Sequence, residues 1–70
     1  MKLSARNVLK GKIKSIGEGV VNNEVVIELA GGETIVSIIT KQACESLGLA
    51  VGKPAYAVIK ASSVMVGVDH

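Results

Sequence analysis

The centre of the chain reads TIVSIITKQACESLGL over residues 34–49, and this stretch joins a predicted strand to a predicted short helix. Thr34–Ile39 is rich in β-branched residues, which favour strands. Thr40 is a typical N-cap, because its hydroxyl can accept a hydrogen bond from a free amide of the next turn. Lys41–Leu47 predicts a helix that Gly48 ends in the left-handed conformation. The inner face of this helix is predicted to carry Ala43, Cys44 and Leu47.

Two strands are predicted before this stretch. Val8–Ser15 alternates between an apolar side and a side that carries lysines, a pattern typical of a strand with one face in water. A turn at residues 17–19 leads into Val20–Ala30, a longer strand that ends at the Gly-Gly turn signal of residues 31–32. Its predicted inward residues are Val21, Val25, Ile27 and Leu29, and its predicted outward residues are Glu24 and Glu28.

Two more strands are predicted after the helix, at Ala55–Lys60 and Val64–Val68. Three strands, a short helix and two strands is the order of a five-stranded OB-type barrel. We therefore predict an all-β fold with one short helix, in a single domain that spans residues 1–70.

The composition predicts self-association. Of the 70 residues, 49% are apolar and 18 are Val or Ile. A chain of 7.2 kDa hides only about 60% of the surface that it could expose. Large apolar patches left in water usually mark interfaces, so we expect an oligomer.

Several classes of protein are excluded or disfavoured by composition. No run of about 18 apolar residues is present, so no membrane span is expected, and the polar residues after Met1 do not fit a signal peptide. The single Cys44 fits a reducing compartment and is interpreted as a small buried apolar residue. The net charge of +2 is small for a dedicated DNA-binding domain.

The sequence offers few candidate residues for catalysis or for metal binding. The only histidine is His70 at the C-terminus, so a Ser–His or Cys–His pair lacks a well-placed base. One Cys and one terminal His cannot supply a structural zinc site. Residues 48–53 mimic a phosphate loop, but their glycine spacing is short and Pro54 follows the lysine, which favours a helix cap and a loop. We expect no catalysis, no cofactor and no metal coordinated directly by side chains.

Lys10, Lys12 and Lys14 form a basic stripe on the first strand. OB folds often bind single-stranded nucleic acids, but such sites usually add aromatic platforms, and this chain offers only Tyr56. Outward lysines also discourage pairing between sheet edges. An OB-fold nucleic-acid-binding module is therefore the alternative function. A further alternative is a regulatory or oligomerisation domain of a larger protein, against which the start at Met1 argues mildly.

Two polar clusters stand at strand ends: residues 4–7 (SARN) and residues 60–63 (KASS). Arg6 and Lys60 carry two positive charges, while Ser4, Ser62 and the amides around Ala61 add hydrogen-bond donors. Neither cluster contains a carboxylate. A donor-only pocket of charge +2 fits a small dianion, although ordinary polar residues at strand ends would leave the same pattern.

The chain resembles the molbindin (Mop) family of small cytoplasmic proteins. The similarity is carried by residues 4–7 with Gly11, residues 21–25 (VNNEV), residues 38–40 (IIT) and residues 57–65 (AVIKASSVM), and it runs in register from about Leu3 to Asp69. This resemblance implies molybdate binding, and usually tungstate binding, for storage or homeostasis. It also implies a homohexamer, a trimer of dimers, with oxyanion sites between subunits.

The resemblance also implies which residues form the site. One wall is expected to contain Ser4, Arg6, Lys60, Ala61 and Ser62. The neighbouring chain is expected to contribute main-chain groups of Gly19 and Val20. The family more often has alanine at the positions of Val21 and Asn23, so the second wall is expected to be slightly tighter here. Membranes and nucleic acids are not expected partners.

Overall fold

The computed structural model describes residues 1–69 and shows a mostly β fold with one short helix, as predicted. The elements are β1 (Asn7–Glu18), β2 (Asn22–Leu29), β3 (Thr34–Thr40), α1 (Lys41–Ser46) and β4 (Pro54–Ile59), followed by a 3₁₀ turn at Ala61–Ser63. Among the described residues, no helix has both the length and the apolar character that crossing a membrane requires.

The four strands form one antiparallel sheet in the order β3-β2-β1-β4. β1 is central and long enough to pair with two neighbours, since Gly11–Glu18 faces β2 and Asn7–Lys12 faces β4. The fifth strand predicted at Val64–Val68 is not formed. A strand requires a hydrogen-bonding neighbour, and this segment has none among residues 1–69.

A β-bulge in β1 explains why the first strand is longer than predicted. The register with β2 shifts between Ile13 and Ser15, so that Lys14 is an extra residue. The shift lets Ile13 and Ile16, three residues apart, both pack toward the core, whereas a regular strand would place them on opposite faces. β1 therefore continues through Gly17 to Glu18, beyond the predicted end at Ser15.

The core is small, and its members come from every strand except β3 and from the helix. The buried apolar residues are Ile13, Val25, Ile27, Cys44 and Ala57. The predicted inward positions Val25 and Ile27 are confirmed, and Leu29 packs against this cluster. The prediction for Val21 is wrong: its side chain is 68% exposed, because β2 begins only at Asn22 and the alternation that buries its residues starts with Asn23.

The helix ends follow the sequence signals closely. Thr40 Oγ1 accepts a hydrogen bond from the Ala43 amide at 3.0 Å, and Gly48 adopts φ +65°. The amides of Gly48 and Leu49 donate to the carbonyls of Glu45 and Cys44, which is the Schellman pattern. The reversal at Gly48 turns Leu49 back onto the core. Leu47, predicted to be inward, is instead 69% exposed, and the helix ends at Ser46.

Residues 48–53 form a helix cap and a loop. The Gly52 amide donates to the Ile13 carbonyl at 2.8 Å, and the Ile13 amide donates to the Lys53 carbonyl at 2.9 Å. The glycine amide that a phosphate loop would turn toward its ligand is therefore used inside the fold. The loop joins the C-terminal half of the chain to the centre of β1.

Replacing Thr40 with alanine is expected to lower the free energy of unfolding by about 1 kcal/mol, because the Ala43 amide loses its acceptor. Thr40→Ser keeps a hydroxyl at the same position and is expected to retain most of the stability. Urea denaturation followed by circular dichroism measures both variants. Equal unfolding midpoints for Thr40→Ala and the wild type would show that the cap contributes nothing.

Candidate functional site

The ladder between β1 and β4 ends where the two polar clusters begin. Its last pair is Asn7 with Ile59, and the Asn7 side-chain amide donates to the Ile59 carbonyl at 3.3 Å. Arg6 directly precedes β1 and Lys60 directly follows β4. Both residues therefore lie next to the last pair of the ladder.

The 3₁₀ turn adds backbone donors beside these two cations. The Ser63 amide donates to the Lys60 carbonyl at 2.8 Å, and the Val64 amide donates to the Ala61 carbonyl at 3.2 Å. The amides of Ala61 and Ser62 open the turn, where N–H groups have no partner within the helix. No side chain caps this end.

The two segments of sequence that carry this cluster hold charge of one sign. Residues 1–17 contain Lys2, Arg6 and the three lysines of β1, and residues 46–68 contain Lys53 and Lys60; neither segment contains an Asp or Glu. Ser4, Arg6, Lys60, Ala61 and Ser62 are all exposed in the single chain. The structure thus places Arg6 and the segment Lys60–Ser62 beside the same strand pair, and these residues supply donors without a carboxylate. Ser4 lies two residues before Arg6 along the chain.

Gly19 and Val20, predicted for the second wall, lie at the other end of β1. A strand of 12 residues is about 36 Å long, and the molecule measures 39 Å along its longest axis. One chain therefore does not bring the two predicted walls together. Gly19 and Val20 are exposed in the turn between β1 and β2, where a neighbouring molecule can reach them.

The geometry of this turn separates the roles of its two residues. The Gly19 amide donates to the Asn22 carbonyl at 3.0 Å and approaches Asn23 Oδ1 at 3.4 Å, and a side chain at Gly19 would collide with the Asn22 carbonyl. The Val20 amide has no acceptor within residues 1–69, and the side chain is 95% exposed. Val20 thus offers the donor, and Gly19 shapes the turn.

Two asparagines organise the predicted walls and are absent from the predicted site. Asn7 ties β1 to β4 beside Arg6 and Lys60. Asn23 is 3% exposed and holds the Gly19 turn. A signal for Asn23 was present in the sequence, because it occupies an inward position in the alternation of β2. A polar side chain at such a position is expected to be hydrogen-bonded.

The remaining polar surface offers little chemistry. Lys12 Nζ lies 3.7 Å from Glu28 Oε1 on neighbouring strands, and Lys10 faces Tyr56 across the β1–β4 ladder. Within residues 1–69, no three His, Cys, Asp or Glu side chains group as metal ligands. His70, the only histidine of the sequence, lies outside the described residues.

Comparison with known proteins finds close relatives over nearly the whole chain. Residues 3–66 match the TOBE domain. The chain is 55% identical over 69 residues to the probable molybdenum-pterin-binding protein of Haemophilus influenzae, covering 99% of this chain and 100% of that protein. The two proteins therefore match over nearly the full length of both chains.

Solved structures show the same fold. MopII from Clostridium pasteurianum superposes with a TM-score of 0.90 at 46% identity, covering 96% of this chain and 100% of that one. The cytoplasmic molybdate-binding protein ModG, crystallised with molybdate bound, superposes with a TM-score of 0.94 at 52% identity, covering 99% of this chain and 49% of that one. The predicted OB-type fold is confirmed, with four strands formed in the single chain. This chain belongs to the molbindin (Mop) family of TOBE domain proteins.

Proposed function

We propose that this protein binds molybdate, and also tungstate, at sites between its own subunits and without catalysis. The observation that carries the proposal is the cluster at the end of the β1–β4 ladder. There Arg6 and Lys60 follow the last strand pair, and the opening amides of the 3₁₀ turn have no partner in the turn. ModG, which shares 52% identity with this chain, is described as a molybdate-binding protein.

The chemistry of the cluster suits a tetrahedral dianion. Taking a dianion out of water costs several kcal/mol unless its charge is matched and its oxygens are hydrogen-bonded. Arg6 and Lys60 match a charge of −2. The hydroxyls of Ser4 and Ser62 and the amides of Ala61 and Ser62 supply donors for the oxygen atoms.

The second wall of the site comes from a neighbouring chain. The turn with Gly19 and Val20 is about 36 Å along β1 from the first wall, so a complete pocket requires a contact between molecules. We assign the donor of this wall to the Val20 amide. The assembly is a homohexamer, a trimer of dimers, in which each chain is one domain over residues 1–70.

The physiological role that fits this chemistry is storage or homeostasis of the oxyanion in the cytoplasm. The cluster can hold a dianion reversibly, and it contains no group placed to transfer a proton or to attack a bound molecule. The nucleic-acid alternative has less support: Lys12 of the basic stripe is paired with Glu28, and the chain has one aromatic residue.

Phosphate is expected to bind roughly 10- to 100-fold more weakly than molybdate at pH 7. Phosphate is partly protonated at this pH, and the cluster has no carboxylate to accept its proton, so an unsatisfied donor costs about 1–3 kcal/mol. Sulfate carries the same charge as molybdate and is expected to be excluded less completely than phosphate. Titration calorimetry with each anion measures these affinities; equal affinities for phosphate and molybdate would contradict the donor-only pocket.

Native mass spectrometry with and without molybdate tests the proposal as a whole. We expect hexamers of the 7.2 kDa chain that gain the mass of bound oxyanions when molybdate is added. A stable monomer at micromolar concentration would contradict the proposed sites between subunits. A hexamer that gains no mass when molybdate is added would contradict the proposed ligand and would support the proposed assembly.

A further inference from the structure

Asn23 is the only buried polar residue among residues 1–69, with 3% of its surface exposed. The other buried residues of this part of the chain are apolar. Burying a side-chain amide costs free energy unless its oxygen and its nitrogen are both hydrogen-bonded. An apolar side chain of similar size would avoid this cost, so the partners of the Asn23 amide need to be accounted for one by one.

The position of Asn23 is fixed by two neighbouring strands. β2 lies between β1 and β3, and Asn23 is paired in both ladders, with Glu18 of β1 and with Ile39 of β3. Glu18 is exposed, so its carboxylate can turn into water, whereas the buried side chain of Asn23 has little freedom to move. Asn23 is therefore a pre-positioned polar group beside the turn that contains Gly19 and Val20.

The Gly19 amide determines which end of the Asn23 side chain is free. This N–H group lies 3.4 Å from Asn23 Oδ1, and a rotated side chain would set the Nδ2 donor against it instead. The same N–H group already donates to the Asn22 carbonyl at 3.0 Å, so the turn does not depend on Asn23 for its shorter hydrogen bond. The contact with Asn23 Oδ1 therefore orients the side chain more than it stabilises the turn.

The nitrogen end of the Asn23 side chain has no acceptor within residues 1–69, where its one hydrogen bond is the contact of Oδ1 with Gly19. No fully buried side-chain nitrogen or oxygen atom in this part of the chain lacks a partner. The unpartnered Nδ2 must therefore reach the surface, although the rest of the side chain is buried. Nδ2 shares a carbon atom with Oδ1, so it emerges beside Gly19, next to the free amide of Val20.

We propose that Asn23 Nδ2 donates a hydrogen bond to the bound oxyanion from the second wall, beside the Val20 amide. Hydrogen bonds to a charged acceptor are roughly twice as strong as those between neutral groups. The neutral side chain adds a donor without changing the match between the dianion and the charges of Arg6 and Lys60. The inference rests on the proposed function and names a further binding residue of the same site.

The orientation of Asn23 also bears on specificity. An asparagine side chain is both a donor and an acceptor, and a freely rotating one could accept the proton of hydrogen phosphate. Because Oδ1 faces the Gly19 amide, the anion meets only the donor end. Asn23 is thus a specificity-determining residue that adds a side chain to the second wall and keeps the pocket free of acceptors.

Asn23→Ala is expected to weaken molybdate binding roughly tenfold or more in titration calorimetry, because one hydrogen bond to a charged ligand is lost. Asn23→Asp keeps an oxygen toward Gly19 but replaces the donor with a negative charge, so a loss of roughly 100-fold or more is expected. Asn22→Ala is the matched control: Asn22 is exposed in the same turn, and the substitution leaves its backbone carbonyl in place. A folded Asn23→Ala protein that binds molybdate as tightly as the wild type would overturn the assignment.

Nuclear magnetic resonance of the wild type tests the contact without depending on a variant. The chain has three asparagines, at positions 7, 22 and 23, so selective labelling with nitrogen-15 gives three side-chain NH₂ pairs. When sodium molybdate is added to saturation, one proton of the Asn23 pair is expected to move downfield, and the Asn22 pair is expected to stay in place. An unchanged Asn23 pair in the molybdate-bound protein would overturn the assignment alone. A wild type that gains no molybdate in native mass spectrometry would instead overturn the proposed function, and this inference with it.

Discussion

Replacing Lys60 with alanine is expected to abolish molybdate binding. Lys60 supplies one of two positive charges at the proposed site, and both Lys60 and Arg6 adjoin the last pair of the β1–β4 ladder. Once the neighbouring chain closes the pocket, removing one charge leaves the dianion undercompensated. Breaking such a buried pair from one side costs about 3–5 kcal/mol, more than a 100-fold loss of affinity. Arg6→Ala is expected to act similarly and also to lose bidentate hydrogen bonding.

Thermal unfolding with and without molybdate measures this effect. A ligand at about 100 times its dissociation constant stabilises the folded state by roughly 2.7 kcal/mol. The wild type is therefore expected to melt at a higher temperature with molybdate, and Lys60→Ala and Arg6→Ala are not. Lys12→Ala is the control, because Lys12 lies on the stripe beside Glu28 and should respond like the wild type. If Lys12→Ala instead lost binding of single-stranded nucleic acid while molybdate shifted no melting curve, the nucleic-acid function would replace the oxyanion one.

Replacing Ile13 with alanine is expected to lower the free energy of unfolding by about 2–5 kcal/mol. Ile13 is 1% exposed and lies at the centre of the core formed with Val25, Ile27, Cys44 and Ala57. A core of five buried residues has few neighbours that can move into the cavity. For a domain of this size, each kcal/mol corresponds to about 4–8 °C, so the melting temperature is expected to fall by roughly 10 °C or more.

Two further variants separate the cavity from a general loss of apolar surface. Ile13→Val removes one methylene and is expected to cost only about 0.5–1.5 kcal/mol. Val51→Ala removes methyl groups from a side chain that is 66% exposed and is expected to have little effect. All variants are compared without ligand and at equal protein concentration. A melting temperature of Ile13→Ala within a few degrees of the wild-type value would show that the side chain of Ile13 contributes little to the stability of the core.

The parts of the fold that the sequence predicted are those with local causes. Thr40 and Gly48 define the helix ends through hydrogen bonds to residues at most five positions away along the chain, so the signals are contained in one short stretch. The same holds for the alternation in β2 from Val25 onward. Such features depend on the preferences of neighbouring residues and hardly on the rest of the molecule.

The errors occurred where a distant partner determines the structure. The bulge near Lys14 is visible only once β2 is placed beside β1. Leu47 lies at a position that the helical periodicity predicts to face inward, but it is exposed, and Leu49 packs against the core instead. Residues 64–68 have the alternation of a strand, yet no strand of the described part of the chain pairs with them. Periodicity predicts what a segment can form, and pairing determines whether it does.

For the site, the sequence predicted residue types, and the structure adds which of them lie together. Arg6 and Lys60 are 54 positions apart, and their proximity follows from the register of Asn7 with Ile59. The engagement of the Gly19 amide within its own turn was not predicted, because the turn was expected at residues 17–19 and β1 instead continues to Glu18. The resemblance to molbindins therefore supplied the members of the proposed site, and strand register supplied the grouping of Arg6 with Lys60.

The length of β1 has a genetic consequence. Because the two proposed walls lie at its opposite ends, a chain damaged at one end would still carry an intact wall at the other. Under the proposed arrangement, chains altered at Lys60 and chains altered in the turn after β1 fail alone. When both are produced in one cell, mixed assemblies contain some sites in which two undamaged walls meet. Alleles affecting opposite ends of this strand therefore complement each other, whereas alleles affecting the same end do not.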